Sequence, residues 1–279
     1  MPVEVWVVED GRGEPVPDEL AVEEALEIRL KSNDETQPLA VTMRTPGADE
    51  ELAIGFLYGE GVIRDPKDLV SVDQSPPPPG GQMGNRVEVE LKTGLTPDLA
   101  PLERHFYTTS ACGLCGKASL DALLLGRRPQ LPSGPILAPE LLYDLPAKLS
   151  AAQGIFQTTG GLHAAGLFDS LGHLLAVRED VGRHNAVDKV VGWALGEGLL
   201  PLHDHVLLVS GRASYEILQK CLMAEVPIVC AVSAPSSLAV SLAREHGITL
   251  AAFLRDRRFN IYSAGHRLGM ETTPTPGAD

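Results

Sequence analysis

Apolar and polar residues alternate with a period of two over Val3–Val8, Ala25–Leu30, Leu39–Met43 and Arg86–Leu91, which predicts strands. Among them, Glu50–Tyr58 reads as a helix capped near Asp49. The tract Ser75-Pro76-Pro77-Pro78-Pro79-Gly80-Gly81 suits neither helix nor sheet, because proline lacks an N–H, and it predicts a solvated surface loop between strands. A second helix is expected to run through Ala118–Leu124. From there the pattern becomes an alternation of helix and strand. Pro139–Gln153 is helical in period, and His163–Phe168 with His173–Val177 forms a hairpin around Asp169-Ser170-Leu171-Gly172. Arg183–Leu195 carries Val187, Val190, Val191, Ala194 and Leu195 on one stripe. Strands follow at His205–Val209, Pro227–Val232 and Thr249–Phe253, with helices at Tyr215–Met223 and Ser236–Glu245. That succession predicts an α/β fold with a partly parallel sheet covered by helices. No internal repeat is visible.

Length permits one large domain or two ordinary ones in 279 residues. The expected division is an N-terminal α+β region over 1–105, a cysteine loop over 106–117, an α/β region over 118–265 and a disordered tail over 266–279. A hydrophobic content of 44% with 22% charged residues is that of a water-soluble globular chain. No apolar run approaches the ~20 residues of a membrane span. The opening Met1-Pro2-Val3-Glu4-Val5-Trp6-Val7-Val8 shows neither a basic n-region nor an h-region. With cysteines that lack a disulfide-framework spacing, it leads to the expectation of a reducing cytoplasm. A net charge of −14 argues against nonspecific nucleic-acid binding and against anionic membranes. The basic residues are nevertheless clustered. Arg255, Arg257 and Arg258 crowd one stretch, and Arg178 and Arg183 flank Glu179-Asp180-Val181-Gly182, so a local phosphate site is expected.

The chemistry concentrates in Thr108-Thr109-Ser110-Ala111-Cys112-Gly113-Leu114-Cys115-Gly116-Lys117, which holds two of the four cysteines. Gly113 and Gly116 free the backbone to present both sulfurs from a mobile loop. Lys117 and a following helix start favour thiolate over a thiol that ordinarily titrates near ~8.5. Several readings compete. Zinc needs a second close pair, but Cys221 and Cys230 are separated by residues 222–229 and lie in apolar segments, where they read as packing residues. A thioredoxin-type motif sits at a strand-to-helix turn, commonly beside tryptophan or proline, and the flanks here differ. A sulfur carrier, in which one thiolate accepts a sulfane sulfur, suits the glycines and polar flanks. A structural pair buried in a turn is the remaining reading.

Three junctions bear on ligand binding, because open α/β sheets bind ligands beyond their strand ends. They are Val209-Ser210-Gly211-Arg212, Val232-Ser233-Ala234-Pro235-Ser236-Ser237 and Phe253-Leu254-Arg255-Asp256-Arg257-Arg258. Hydroxyls, free amides at helix starts and arginines suit a phosphate. Taken singly, Ser210 or Ser236 is an ordinary helix cap, and the arginines are an ordinary solvated face. Glu179-Asp180-Val181-Gly182-Arg183-His184-Asn185 packs acids and bases around a helix start. It is either an acid/base pair or a structural turn in which Asp180 caps the helix and Glu179 pairs with Arg183. His163, after Thr158-Thr159-Gly160-Gly161, can line the same crevice, whereas His173, His203, His205 and His266 have no metal-ligand spacing.

These segments, with Met43-Arg44-Thr45-Pro46 and Leu52-Ala53-Ile54-Gly55-Phe56-Leu57, resemble in order the FdhD/NarQ family of accessory sulfurtransferases for formate dehydrogenase, from about Pro38 to about Ser263. The resemblance implies a cytidine-deaminase-like α/β region joined to a smaller N-terminal α+β part. The deaminase signature His-x-Glu with Pro-Cys-x-x-Cys is missing here, so neither a structural metal nor deamination is implied. It further implies that sulfur passes from a cysteine desulfurase to a molybdenum (or tungsten) bis-molybdopterin guanine dinucleotide, which then enters formate dehydrogenase. Cys112 matches the family's persulfide carrier and Cys115 its helper. Phe253–Arg258 match its cofactor-binding segment, while Ala111 stands where family loops often carry serine. A homodimer is implied as well. The functional alternatives are a cofactor-binding chaperone that transfers no sulfur and a thiol–disulfide oxidoreductase.

Overall fold

A computed structural model describes residues 1–32, 35–76, 84–95, 97, 99 and 131–270. The expected cysteine loop, the helix expected through Ala118–Leu124 and most of the proline tract lie outside these residues. At the amino end, β1 (Pro2–Glu9) and β2 (Arg12–Glu19) form a two-stranded sheet of their own among the described residues. A four-stranded sheet follows in the order β4 (Glu35–Arg44), β3 (Glu24–Ser32), β6 (Arg86–Leu91) and β5 (Leu69–Gln74), with α1 (Asp49–Gly59) packed against it.

The remainder builds a six-stranded sheet ordered β12-β11-β10-β9-β7-β8. Its parallel centre is β9 (Val206–Val209), β10 (Ile228–Ala231) and β11 (Thr249–Arg255). Antiparallel β7 (His163–Phe168) and β8 (Leu174–Asp180) border one side, and β12 (Arg258–Ser263) borders the other. The central strands are continuous apolar runs because both faces are covered. Leu207, Val209, Val229, Ala231, Leu250 and Ala252 face α4 (Arg183–Gly196), α5 (Tyr215–Met223) and α6 (Ser237–His246). Val206, Leu208, Ile228, Cys230 and Leu254 face Leu142, Leu145 and Leu149. Those leucines come from a 3-10 turn at Pro139–Asp144 and from α2 (Leu145–Ala152), so the single helix expected over Pro139–Gln153 is divided. A short α3 (Gly154–Thr159) completes the helices described. Cys221 and Cys230 are packing residues as expected, and burial pushes both thiols up to about 12. No helix among the described residues is long and apolar enough to cross a membrane.

The larger core cluster runs without interruption from Leu26 and Val87 in the four-stranded sheet, through Leu52 of α1, to Val190 of α4 and Leu207 of β9. The two expected regions therefore share one core. They meet where α1 crosses α4. A side chain at Gly55 would overlap the Asp188 carbonyl, and one at Gly192 would overlap the Glu51 carbonyl, so the helices touch backbone to backbone.

Charged groups reinforce this contact from within. Arg44 is fully buried and grips Asp49 through Nε at 3.0 Å and Nη2 at 2.9 Å. Asp49 is therefore an ion-pair partner and not the expected cap; Ala48 precedes the helix with no side-chain cap. Asp188 of α4 accepts from Lys220 of α5 at 2.7 and 2.9 Å. Charges withdrawn from water this far are tolerated only when paired and hydrogen-bonded on several sides.

Two further differences have local causes. β2 was not anticipated because Pro15 and Pro17 argue against a strand, and they fit here only because β2 is an edge. The expected tail beginning at 266 starts instead as a 3-10 turn over Gly265–Leu268. Its buried Arg267 donates to the carbonyls of Ser133, Pro132 and Gly247.

Gly55→Ala and Gly192→Ala should each destabilise the fold by ~1–3 kcal/mol or more, because backbone has to move to admit a methyl group. Gly196→Ala, which meets nothing within 4 Å, should be neutral or slightly stabilising. Urea denaturation of the three variants checks this, and equal midpoints would contradict the crossing.

Candidate functional site

The ends of the central strands lie side by side along one sheet edge, the place where the sequence leads to the expectation of a crevice. In the sheet register His163 faces Asp180 and Ala165 faces Val209, so the start of β7, the end of β8 and the end of β9 lie on one edge. The ladder continues beyond the strands. Ser210 N–H donates to Ala164 O and Ala164 N–H to Ser210 Oγ, both at 2.9 Å. Ser233 N–H donates to Gly211 O at 3.3 Å, and Phe253 N–H to Ser233 O at 3.2 Å. Ser210, Gly211, Ser233 and Phe253 are thereby stitched side by side, and the three junctions singled out from the sequence do share one edge. The helices α4, α5 and α6 start from this edge, so their N-terminal amides and dipoles favour an anion there.

Histidines and arginines gather over it. The ring of His163 approaches Gly211 closely; a Cβ there would lie 3.2 Å from Nδ1, so glycine admits the ring. His184, in the first turn of α4, places Nε2 at 3.1 Å from Ser214 Oγ and 2.8 Å from Glu216 Oε2. Burial, and then the charges of Arg183, His184 and Arg212, hold His163 below its ordinary pKa, which keeps it neutral at neutral pH. Burial pushes Glu216 up, but the hydrogen bond and charge of His184, with Arg183 and Lys220, outweigh it and hold the carboxyl below the ordinary glutamate value. His184 Nδ1, Arg183 Nε and Glu216 Oε1 are buried and have no hydrogen-bond partner among the described residues. Such atoms cost on the order of 1–3 kcal/mol each if left unsatisfied, so their gathering at one crevice marks a place for a polar ligand.

The arginine-rich segment ends the last parallel strand as a turn: β11 runs on to Arg255, past the expected Phe253, and the segment forms the tip of the β11–β12 hairpin. Phe253, Asp256 and Arg257 carry φ of 55°, 50° and 56°, a left-handed conformation that stores strain in non-glycine residues. Leu254 is fully buried in the core beneath the sheet and offers the crevice no side chain. Arg255, Asp256, Arg257 and Arg258 are exposed, with Arg257 stacked 5.1 Å over the Tyr143 ring.

The acid–base segment resolves into structure more than chemistry. Glu179 accepts from Ile155 N–H and Phe156 N–H at 3.0 and 2.8 Å, so it caps α3 instead of pairing with Arg183. Asp180 does not cap α4, whose N-cap is Gly182. It is a buried hub that accepts from Thr45 N–H, Gly182 N–H, Asn185 Nδ2 and Lys189 Nζ. Arg178 is held by Glu51 and lies over Trp193, outside the crevice. Ser236 caps α6 as the ordinary reading has it.

Ser214 and Glu216 were not foreseen. In sequence they are a serine before a helix and an acid in its first turn, a pattern that capping alone explains. Cys112 and Cys115 lie outside the described residues. Among the described residues no group of three or more His, Cys, Asp or Glu side chains is placed to hold a metal ion.

Glu216→Gln tests the dyad. The wild-type carboxyl titrates below its unfolded value, so its contribution is full above about pH 4.5 and is lost as pH falls through the lower folded value. The variant should therefore be less stable by ~1–3 kcal/mol at neutral pH, with the gap closing in acid. Urea titrations from neutral to acidic pH check this; a gap independent of pH would refute the assignment.

Comparison with known proteins agrees along almost the whole chain. The model of the FdhD/NarQ family matches residues 21–269. The sulfur carrier protein FdhD of Streptomyces avermitilis is 51% identical over 275 residues, covering 97% of this chain and 96% of its own. The protein of that name from Nocardia farcinica is 54% identical over 259 residues, with 90% and 88% covered. A crystal structure described as that of a formate dehydrogenase accessory protein from Desulfotalea psychrophila superposes with a TM-score of 0.72 at 25% identity, covering 96% of this chain and 98% of that one. With the match running through both sheets, the α1–α4 crossing and the crevice, this chain belongs to the FdhD/NarQ family.

Proposed function

We propose that this chain is a cytoplasmic sulfur carrier that serves formate dehydrogenase maturation. Membership of a family whose relatives at about half identity are named sulfur carriers is the observation that carries this reading. The transfer begins when the Cys112 thiolate attacks the outer sulfur of a desulfurase persulfide. A Cys112 S–S bond forms, and the desulfurase cysteine leaves as a thiolate. Cys115 resolves or relays the sulfur. The acceptor is the molybdenum (or tungsten) bis-molybdopterin guanine dinucleotide, bound as substrate.

The crevice supports the second half of the reading. A guanine dinucleotide presents phosphates and a base with both donors and acceptors. Arg183 and Arg212, the helix N-termini, and the hydroxyls of Ser210 and Ser233 suit phosphate. Exposed Arg255, Arg257 and Arg258 extend that surface, and Asp256 is the candidate for the guanine edge. Neutral His163 and the Glu216-bound His184 supply donors and an acceptor at the same edge. Phe253 contributes its ring. The fold kinship with cytidine deaminases belongs to the same proposal.

Incubation of the full chain with a cysteine desulfurase and cysteine, followed by intact-mass analysis, tests the function. A gain of one sulfur on the wild type, lost in Cys112→Ala along with formate dehydrogenase maturation, is the expected result. Maturation that survives in Cys112→Ala would overturn it. Cofactor binding with no sulfur gained would instead select the chaperone, and an internal disulfide with no persulfide the oxidoreductase.

A further inference from the structure

The two residues that join β11 to β12 are Asp256 and Arg257, because Arg255 pairs with Arg258 across the hairpin. Both have positive φ, 50° and 56°, so the link is a two-residue type I′ turn. Such a turn ordinarily takes glycine at its second central position, since any side chain there is held in the left-handed conformation at a cost. Arginine stands at that position here. Nothing in the backbone asks for it, so its use lies in the side chain. A left-handed residue other than glycine persists where its surroundings hold it, and such residues gather at ligand-binding turns.

Tyr143 supplies that hold. The Arg257 guanidinium lies 5.1 Å over its ring, and the ring leans on Phe259 of β12 with centroids 5.8 Å apart and planes tilted by 49°. Tyr143 comes from the 3-10 turn Pro139–Asp144, whose Leu142 is fully buried against the sheet face opposite α4, α5 and α6, so the ring stands on the core. Tyr143 is half-buried whereas Arg257 is exposed. Stacking occupies only the flat face of a guanidinium and leaves its N–H groups, which lie in the plane, for an anion. None of the ion pairs among the described residues uses Arg257.

We propose that Tyr143 is a positioning residue for ligand binding at this edge: its ring holds Arg257 so that the guanidinium meets a phosphate of the ligand in one orientation. The proposal rests on the reading that the strand ends take a nucleotide phosphate. The hairpin tip lies on that edge, because β11 runs parallel to β10 and Phe253 N–H donates to Ser233 O at 3.2 Å. An unsupported arginine at a hairpin tip samples many rotamers, and freezing them on binding takes away from the affinity it gives. A guanidinium that is already stacked has lost that freedom before the ligand arrives. Tyr143 acts through Arg257 and needs no contact with the ligand.

Calorimetric titration of the full chain with guanosine diphosphate, arranged as a double-mutant cycle, tests this. Arg257→Ala should weaken binding about tenfold, and Tyr143→Leu roughly two- to fivefold. Tyr143→Phe keeps the ring and should restore wild-type affinity. In Tyr143→Leu/Arg257→Ala the loss of the ring should add nothing, whereas a merely structural tyrosine would weaken both backgrounds alike. A ligand-free readout stands beside the cycle. The ring should shift the Arg257 δ-methylene protons upfield in the nuclear magnetic resonance spectra of the wild type and of Tyr143→Phe, and not in that of Tyr143→Leu. Unshifted protons in the wild type, or equal losses from Tyr143→Leu with and without Arg257, would overturn the proposal. A wild type that binds neither guanosine nor adenosine diphosphate, yet shows the shifted protons, would refute the phosphate reading itself and with it the role given to the stack.

Discussion

The contact on which the molecule depends is the crossing of α1 and α4, where Gly55 and Gly192 let two helix backbones touch. The four-stranded sheet reaches the six-stranded sheet chiefly through it. The four-stranded sheet covers α1, α4 covers the sheet, and one apolar core fills the space between them. Because no side chain spaces the helices apart, their separation is set by backbone, and the first turn of α4 is held in one place. That turn carries Arg183 and His184.

The buried charges lock the same joint. Asp180 closes β8 and, by collecting donors from Thr45, Gly182, Asn185 and Lys189, joins the loop before α1 to the start of α4. Lys189 also donates to Thr45 O at 2.9 Å, and Asn185 Nδ2 to Met43 O at 2.8 Å. Loss of one partner would strand a charge in the core at a cost of roughly 3–5 kcal/mol. Of the buried side-chain atoms without a partner among the described residues, those of His184, Arg183 and Glu216 lie on the crevice side of this lock, while Arg29, Gln153 and His205 hold the others elsewhere. A frame fixed this way, with unsatisfied donors and an acceptor beside it, suits the polar ligand proposed for this edge.

How much of this was legible depended on whether a residue's role is local. Strand and helix periods placed most elements, including α5 at Tyr215–Met223, because burial of one stripe leaves its mark in order along the chain. The three junctions were legible because glycine, serine and arginine cluster where strands end. Gly55 and Gly192 were not, since a glycine inside a helix shows only its cost until the facing backbone is seen. Glu179 and Asp49 were misread for the same reason. Neighbours in sequence offered each a local use, whereas their partners, α3 and Arg44, are supplied by the tertiary fold. Leu254 sits within the arginine-rich hairpin tip, yet its register turns it into the core.

The proposed seating of the cofactor's guanine end in the crevice is tested directly by calorimetric titration of the full chain with guanosine and adenosine diphosphates. Guanosine diphosphate should bind more tightly than adenosine diphosphate. Arg212→Ala, which removes an exposed side chain the core does not use, should weaken binding of both while leaving the fold unchanged. Equal affinity for the two nucleotides, together with an Arg212→Ala variant that binds as well as the wild type, would contradict it.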